Sequence, residues 1–541
     1  LAKAKAGRAT KQMLGQFMTP EDLAKQVTDA SNINWTKETV VLEPGFGKGA
    51  FLFQAIENLL AAHGSRSKKT IQHIFSKQVF GVEMDPELYG ATLEQIQQKY
   101  GPIEKHNLVN EDFFKTGYFN NFFDVIIGNP PYGGTFDPKI EDALDRQYGK
   151  WNGHNLKKET YSFFIAASLD LLKDQGQLVF ITSDTFLTIN TMAGLRHRLM
   201  DQAKCRVTTL NYFSDETNQP VLVLDATRSA KTDEIVIENV TVTREEMEAT
   251  GNFSWKVSTD LAPYFSNKSL GDFIVCTSGM TIGNNELFVR EILSGHILEP
   301  YEFEFFEEPI TLERELERAR LNKLSATMQQ KIRLQEKLGE TRRNVRVIEL
   351  KEPKKIKLPH KDYLFYNKAA NGIVYKEPKH VVFWKDEGDA VLTFKKNGNW
   401  YLHGVGGQKF FKRQGMTWQL VAPRINMKFL PAGYILDSGA PCGFLRDGID
   451  EDEFWFIFGW SLTEKATEIL KTVINHTRNI QSKDIERLPY PVWVTPAKKS
   501  KAIALAKKLV EEGMSGIEFT KSSKEIVELN KYYDLEKKIK K

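Results

Sequence analysis

A chain of 541 residues, 27% charged and 41% hydrophobic, is too long for one ordinary core and has the balance of a globular protein in water, so two domains are expected. Lysine and arginine exceed the acids only enough for a net charge of +4, which permits a nucleic-acid partner without demanding one and makes any basic surface local. Three widely spaced cysteines without a CxxC pair argue against a disulfide framework or a structural zinc site; with no apolar run of spanning length and no signal-peptide pattern, a reducing cytoplasm and no membrane partner are the expectation.

Leu1 stands where a Met is expected, which is consistent with a chain that begins inside a longer gene product. From Thr39 to Asp225 short apolar runs alternate with helical patterns. Thr39 to Leu42, Gln78 to Val82, Asp124 to Ile127, Gln177 to Ile181 and Val221 to Leu224 read as strands. Ala50 to Ala62, Pro86 to Tyr100, Tyr161 to Leu172 and Thr191 to Met200 read as helices. Such alternation predicts an α/β fold, a doubly wound Rossmann-like sheet.

Between the first strand and helix stands Glu43-Pro44-Gly45-Phe46-Gly47-Lys48-Gly49. The spacing is G-x-G-x-G, neither the G-x-G-x-x-G of a dinucleotide fold nor the GK[ST] of a P-loop. Its glycines permit close approach of backbone to a ligand, with a helix N-terminus behind them; a purely structural loop is the plainer alternative. Glu83 ends the second strand, where two carboxylate oxygens suit a pair of ribose hydroxyls, unless it is simply a solvated acid. Asn110-Glu111-Asp112-Phe113-Phe114 then offers an acid for a purine amino group and an aromatic wall, or else a turn into core aromatics.

The apolar run Phe123 to Gly128 reads as a buried parallel strand that delivers Asn129-Pro130-Pro131-Tyr132 to the carboxyl edge of the sheet. The Asn129 carboxamide oxygen and the Pro130 carbonyl can both accept from one planar NH2, while Tyr132 offers a ring for stacking. A proline-stiffened turn is the alternative.

Taken in order, Gly15-Gln16-Phe17-Met18-Thr19-Pro20, Glu43 to Gly49, Gly81-Val82-Glu83-Met84-Asp85-Pro86, Asp112-Phe113, Asn129 to Tyr132, and Gly176 to Thr182 with Phe186-Leu187 resemble one family. It is the gamma class of DNA adenine-N6 methyltransferases dependent on S-adenosylmethionine, and the resemblance covers somewhat less than half of the chain. It implies that Thr19, Glu43, Gly45 and Gly47 hold the methionine moiety, Glu83 the ribose, and Asp112 with Phe113 the cofactor's adenine. It further implies that Asn129, Pro130 and Tyr132 are catalytic, with Tyr132 stacking on the target base. Tyr161 and Phe164 fit the family's Tyr-x-x-Phe, although Glu159-Thr160 replaces the acid-Leu that usually precedes it. Phe213, with Tyr212 as second choice, is expected on the far face of the base. No metal is expected.

The strand–helix alternation stops beyond Val257. Ser269 to Phe273 leading into Thr277-Ser278-Gly279-Met280-Thr281-Ile282-Gly283-Asn284 resembles the opening of target-recognition domains in the same family. Asn475 to Ile485 with Leu488-Pro489-Tyr490-Pro491 resembles their closing segment. Thr311 to Leu338 carries a charged helical pattern, Lys351 to Lys361 reads as a basic loop, and aromatics and bases interleave from Trp384 to Arg424 as on a DNA-facing surface. The expected organisation is a catalytic domain over 1–250, a target-recognition domain over 251–500 with a helical insertion at about 311–345, and a basic helical tail over 501–541.

The expected activity is site-specific methylation of a flipped-out adenine in double-stranded DNA within restriction–modification or phage defence, in a bacterial or archaeal cell. The alternatives are a fusion with an endonuclease, or the modification subunit of a larger complex with a restriction or other partner. RNA or protein-glutamine methylation fits less well, because a compact protein methyltransferase has no use for so long a second half.

Overall fold

The computed structural model of the protein describes residues 18–118, 120–132, 136, 138–210, 221–282, 284–309, 311–312, 339–393 and 405–535. Contacts divide the chain between Pro263 and Tyr264. This division lies beyond the 250/251 boundary read from sequence, because the segment after Thr250 is bound into the first unit. Trp255 N donates to Leu187 O at 3.1 Å, and the Trp255 ring meets Phe186 edge-on at 5.5 Å.

The first unit runs α1 (Glu21–Ala30), β1 (Val41–Pro44), α2 (Ala50–His63), β2 (Val79–Glu83), α3 (Pro86–Tyr100), β3 (Asn107–Asn110) and β4 (Phe123–Gly128). It continues with α4 (Pro138–Tyr148), α5 (Thr160–Leu171), β5 (Leu172–Ser183), α6 (Ala193–Gln202), β6 (Ala203–Leu210), β7 (Val221–Arg228), β8 (Glu234–Ile237) and β9 (Val240–Thr243). Among the described residues these strands form one sheet in the order β9-β8-β6-β7-β5-β4-β1-β2-β3. β3, β2, β1, β4 and β5 are parallel, and β7 inserts antiparallel between β5 and β6. β1 lies between β2 and β4, so the strand order reverses there and a crevice opens outside the carboxyl ends, where such sheets bind ligands.

Local chemistry explains these elements. β1 is buried at every position, as expected of a central parallel strand covered on both faces. α3 starts where Asp85 accepts from Glu87 N (2.8 Å) and Leu88 N (3.3 Å), with Pro86 in the first turn. α2 starts at Gly49, whose φ of +78° is left-handed and where a Cβ would stand 2.9 Å from Thr92 Cγ2, so only glycine fits. α5 is buried on nearly all sides and accordingly has no polar face.

The second unit holds β10 (Ile274–Thr277), β11 (Val289–Glu291), β12 (His296–Pro309), β13 (Thr341–Lys357), β14 (Tyr363–Asn367), β15 (His380–Phe383), β16 (Gly415–Thr417), β17 (Lys428–Leu430), β18 (Tyr434–Leu436) and β19 (Cys442–Leu445). They make a β10-β19-β16-β17 sheet, a β11-β15-β14-β18 sheet and a long β12–β13 ribbon. Helices α7 (Glu451–Ser461), α8 (Glu464–Ile469), α9 (Pro496–Met514) and α10 (Lys524–Tyr533) follow.

Several expectations for this half are corrected. From Thr341 onward the expected helical insertion is strand, and residues 313–338 lie outside the described residues. The expected basic loop is strand as far as Lys357, paired with an acidic partner: Lys354 sits 3.6 Å from Glu302, and Arg346 3.7 Å from Glu304. The interleaved aromatics do not form a DNA-facing surface at Trp384 and Trp418. Both are buried, and Trp418 Nε1 donates to Ile480 O at 2.9 Å. Lys395, Lys396, Trp400, Tyr401 and His403 lie outside the described residues. The expected tail is packed structure over α9 and α10: Tyr533 is 1% exposed, its hydroxyl donates to Phe456 O at 2.6 Å, and its carbonyl accepts from Trp493 Nε1 at 2.7 Å.

The glycine-rich opening and the closing segment meet each other. Gly279 is pressed against backbone, since a Cβ there would stand 2.1 Å from Leu436 O. Leu270 N donates to Leu488 O at 2.8 Å, and Phe273 stacks on Tyr490 at 4.1 Å, so the proline run closes the unit on its own first strand.

Candidate active site at the carboxyl edge of the first sheet

The glycine loop between β1 and α2 is held by the strand beside it. Gly45 N and Phe46 N both donate to Val82 O, at 2.7 and 3.0 Å, and Thr92 Oγ1 donates to Gly47 O at 2.8 Å. Glu83, 1% exposed, completes the clasp: Oε2 accepts from Gly47 N at 2.8 Å and Oε1 from Asp85 N at 2.7 Å. Gly45 and Gly47 have φ of +85° and +52°, conformations that an L side chain rarely adopts.

Glu43, the penultimate residue of β1, is 3% exposed. Burial pushes its carboxyl well above the usual carboxylate range; the N–H of Leu52 pulls the other way and the charge of Glu83 adds to the rise. Among the described residues its Oε2 has no hydrogen-bond partner. A buried acceptor of this kind asks for a cation or a donor.

On the far side Asn110 Nδ2 donates to Glu83 O at 2.8 Å, tying the end of β3 to the end of β2. Asp112 Oδ1 caps the following turn by accepting from Phe114 N at 3.0 Å, which leaves its other oxygen available for a ligand. Phe113 is stacked on Phe164 of α5, with centroids 4.9 Å apart, and Phe114 meets the same ring edge-on.

β4 delivers Asn129. Its Nδ2 donates to Thr19 Oγ1 at 3.1 Å, and its Oδ1 accepts from the Tyr132 hydroxyl. That hydroxyl shares its proton with Ile181 O at 3.1 Å. Burial, with Tyr161 nearby, pushes the Tyr132 phenol well above its ordinary value, so it remains a donor at any physiological pH. A carboxamide oxygen such as Asn129 Oδ1 can accept more than one hydrogen bond.

These groups surround one cavity of about 470 Å3. Of the residues expected from sequence, Thr19, Glu43, Gly45, Gly47, Glu83, Asp112, Phe113 and Asn129 line it together. Pro130 and Tyr132 stand behind the lining: Tyr132 is 7% exposed and reaches the cavity through Asn129. Phe213 and Tyr212 lie outside the described residues, as does Gly15-Gln16-Phe17. Sequence reasoning missed Phe136 and Ile140, which line the cavity without any motif, and Lys48, hidden as a variable position of the loop. Among the described residues no group of three or more His, Cys, Asp or Glu stands together as a metal site, and no helix is long and apolar enough to cross a membrane.

Residues 28–217 match the family model of the Eco57I restriction-modification methylase. The chain is 29% identical over 202 residues to the type II methyltransferase M.BstVI of Geobacillus stearothermophilus, an alignment covering 34% of this chain and 36% of that one. It is 28% identical over 191 residues to the type II methyltransferase M.HincII of Haemophilus influenzae, covering 35% and 31%. The matches thus span well under half the length of these relatives.

Among solved structures, a nuclease-deletion mutant of the type ISP restriction-modification enzyme LlaGI with a DNA substrate mimic aligns at a TM-score of 0.57 and 12% identity, covering 92% of this chain and 47% of that one. The DrdV–DNA complex aligns at 0.56 and 14%, covering 94% and 58%. At these identities the likeness is one of fold, and it extends through both units. Over residues 28–217 the chain therefore carries a methylase domain of the Eco57I restriction-modification family.

Proposed function

We propose that this chain transfers a methyl group from S-adenosylmethionine to the N6 amine of an adenine rotated out of duplex DNA, in the cytoplasm of a bacterial or archaeal cell, as the modification activity of a restriction–modification system. The observation that carries the reading is the Asn129 carboxamide, held at both ends by Thr19 and Tyr132 on the wall of a cavity that also contains Glu43, Glu83 and Asp112.

The residues present fit that cofactor. The buried Glu43 Oε2, without a hydrogen-bond partner among the described residues, suits a cationic amino-acid end, the Cβ-free backbone at Gly45 and Gly47 admits close approach, the Glu83 carboxylate on the cavity wall suits ribose hydroxyls, and Phe113 with Asp112 suits a purine and its amino group. When bound, S-adenosylmethionine supplies a methyl group on a sulfonium, an excellent leaving group, so positioning and electrostatics are what the protein must provide.

An exocyclic purine amine is a poor nucleophile because its lone pair is delocalised into the ring. Asn129 Oδ1 and the Pro130 carbonyl accept its two hydrogens, draw the nitrogen toward tetrahedral geometry and free the lone pair. The nitrogen turns cationic as it reacts, which favours acceptors around it. The Tyr132 hydroxyl keeps Asn129 Oδ1 in place, and its ring, which stands behind the cavity lining, stacks on a base only if entry of the base uncovers it. Extracting the base from the duplex costs about a few kcal/mol, which stacking and edge contacts offset.

The test pairs cofactor binding by calorimetry with transfer of labelled methyl to duplex DNA. Asn129→Ala is expected to abolish transfer and leave S-adenosylmethionine affinity nearly unchanged; equal loss of both sinks the role assigned to Asn129. A second reading, a modification module that works with further segments or subunits, is favoured by one observation. Solved restriction–modification structures align with over nine-tenths of this chain, whereas it spans 47% and 58% of theirs.

A further inference from the structure

Within the second unit a cavity of about 70 Å3 lies between the β14–β15 connection and β17. Lys368, Lys376, Lys379, His380 and Lys428 all line it, against one acid, Glu377. The connection is fastened to β17 through its backbone: Val374 N donates to Met427 O at 2.8 Å, and Phe429 N donates to Val374 O at 2.7 Å. The cations are therefore gathered by fixed structure rather than scattered on a mobile loop.

Lys428 is the unusual member. It is 5% exposed, and its ammonium donates to Ala370 O at 2.9 Å and Asn426 O at 3.3 Å. An ammonium has three donors, and among the described residues the third has no partner. Burial pushes its pKa down to about 8. Burial lowers His380 as well, and the charge of Lys368 adds to that. Lys376 is paired with Glu518, whereas Lys368 and Lys379 have no carboxylate within ion-pair distance among the described residues. The nearby Asp437 is engaged by the Tyr366 hydroxyl at 2.8 Å.

Like charges gathered this closely repel one another, and a buried ammonium costs desolvation that an apolar side chain of similar size would avoid. A solvated basic face explains Lys379 but not Lys428. A small anion with several acceptor oxygens would satisfy the remaining donor of Lys428 and offset the charge of the others. We propose that this cavity is a binding site for a phosphate oxyanion, held by Lys428 from within and by Lys368 and Lys379 from the exposed side. The phosphate belongs either to a nucleic-acid backbone or to a free phosphate ion. The proposal stands apart from the methyl-transfer reading, since none of its residues belongs to that site.

The test uses the full chain and inorganic phosphate at constant ionic strength, followed by thermal shift and calorimetry. Wild type is expected to bind saturably. The double variant Lys368→Ala/Lys379→Ala, altered only at accessible side chains, should bind several-fold more weakly, and Lys428→Met should not bind. A nonspecific DNA duplex separates the sources. If the ligand is a backbone phosphodiester, the duplex competes with phosphate, and the salt dependence of DNA affinity flattens in the double variant by about one unit per lysine. If it is a free anion, the duplex does not compete and that slope is unchanged. A double variant equal to wild type in both phosphate affinity and DNA salt slope overturns the proposal.

Discussion

Asn129 Nδ2 donates to Thr19 Oγ1 at 3.1 Å across 110 positions of sequence, joining the segment before α1 to the end of β4. With the Tyr132 hydroxyl on Oδ1, this bond fixes the orientation of the carboxamide. An amide turned the other way would present donors to an amine that needs acceptors.

Thr19→Val removes the acceptor while keeping the shape. One neutral hydrogen bond is worth about 1 kcal/mol, so kcat for methyl transfer should fall about fivefold, with a smaller change in cofactor affinity. Thr19→Ser should restore kcat. Single-turnover kinetics on duplex DNA decide the matter: a serine variant as slow as valine, or a loss confined to cofactor binding, shows that Thr19 does not orient Asn129.

Glu83→Gln replaces a carboxylate that accepts from Gly47 N and Asp85 N with an amide that can serve only one of them. The other N–H would face an NH2. Losing a hydrogen bond to a charged group costs about 1.5–3 kcal/mol, so S-adenosylmethionine affinity should drop roughly 10- to 100-fold through a loosened glycine loop. Calorimetry checks this, and an unchanged affinity would mean that the loop holds its shape without Glu83.

Glu43 makes the site pH-sensitive. Burial raises its folded-state pKa above the ordinary 4.5, so the folded chain binds this proton more tightly than the unfolded chain does. As pH climbs through 4.5 the unfolded chain ionises first, and the contribution of Glu43 to stability falls until the folded carboxyl itself ionises. A cationic ligand group favours the carboxylate. Cofactor binding should therefore release a proton, seen as a buffer-dependent heat, and tighten with rising pH. Glu43→Gln should abolish the proton release and stabilise the ligand-free protein in the neutral range. Proton uptake on binding would reverse the argument.

The first sheet was legible in sequence because its central strands are largely apolar runs closed by turn residues, and because Glu43, Glu83 and Asn129 sit at or beside strand ends. Glu43, Glu83 and Asn129 are fixed by that rule alone. What the ends do to one another was not legible. Glu83 was read for ribose hydroxyls, and it also accepts from Gly47 N of the glycine loop and from Asp85 N; Tyr132 was read as a stacking ring, and its hydroxyl also fixes Asn129. The bonds from Gly47 to Glu83 and from Asn129 to Thr19 join residues far apart in sequence, and no local pattern encodes them.

The second half misled for a different reason. Lysines of a basic tract read as a loop because their partners, the glutamates of β12, stand far away in sequence. Trp384 and Trp418 read as surface aromatics because short, irregular strands leave no clean period-two alternation to mark them as core.

The central claim is tested most directly by incubating the protein with S-adenosylmethionine and unmethylated genomic DNA and mapping the modified bases by modification-sensitive sequencing. The account predicts N6-methyladenine at one recurring sequence motif. N4-methylcytosine at a motif, or label that enters protein or RNA while the DNA stays unmodified, would contradict it.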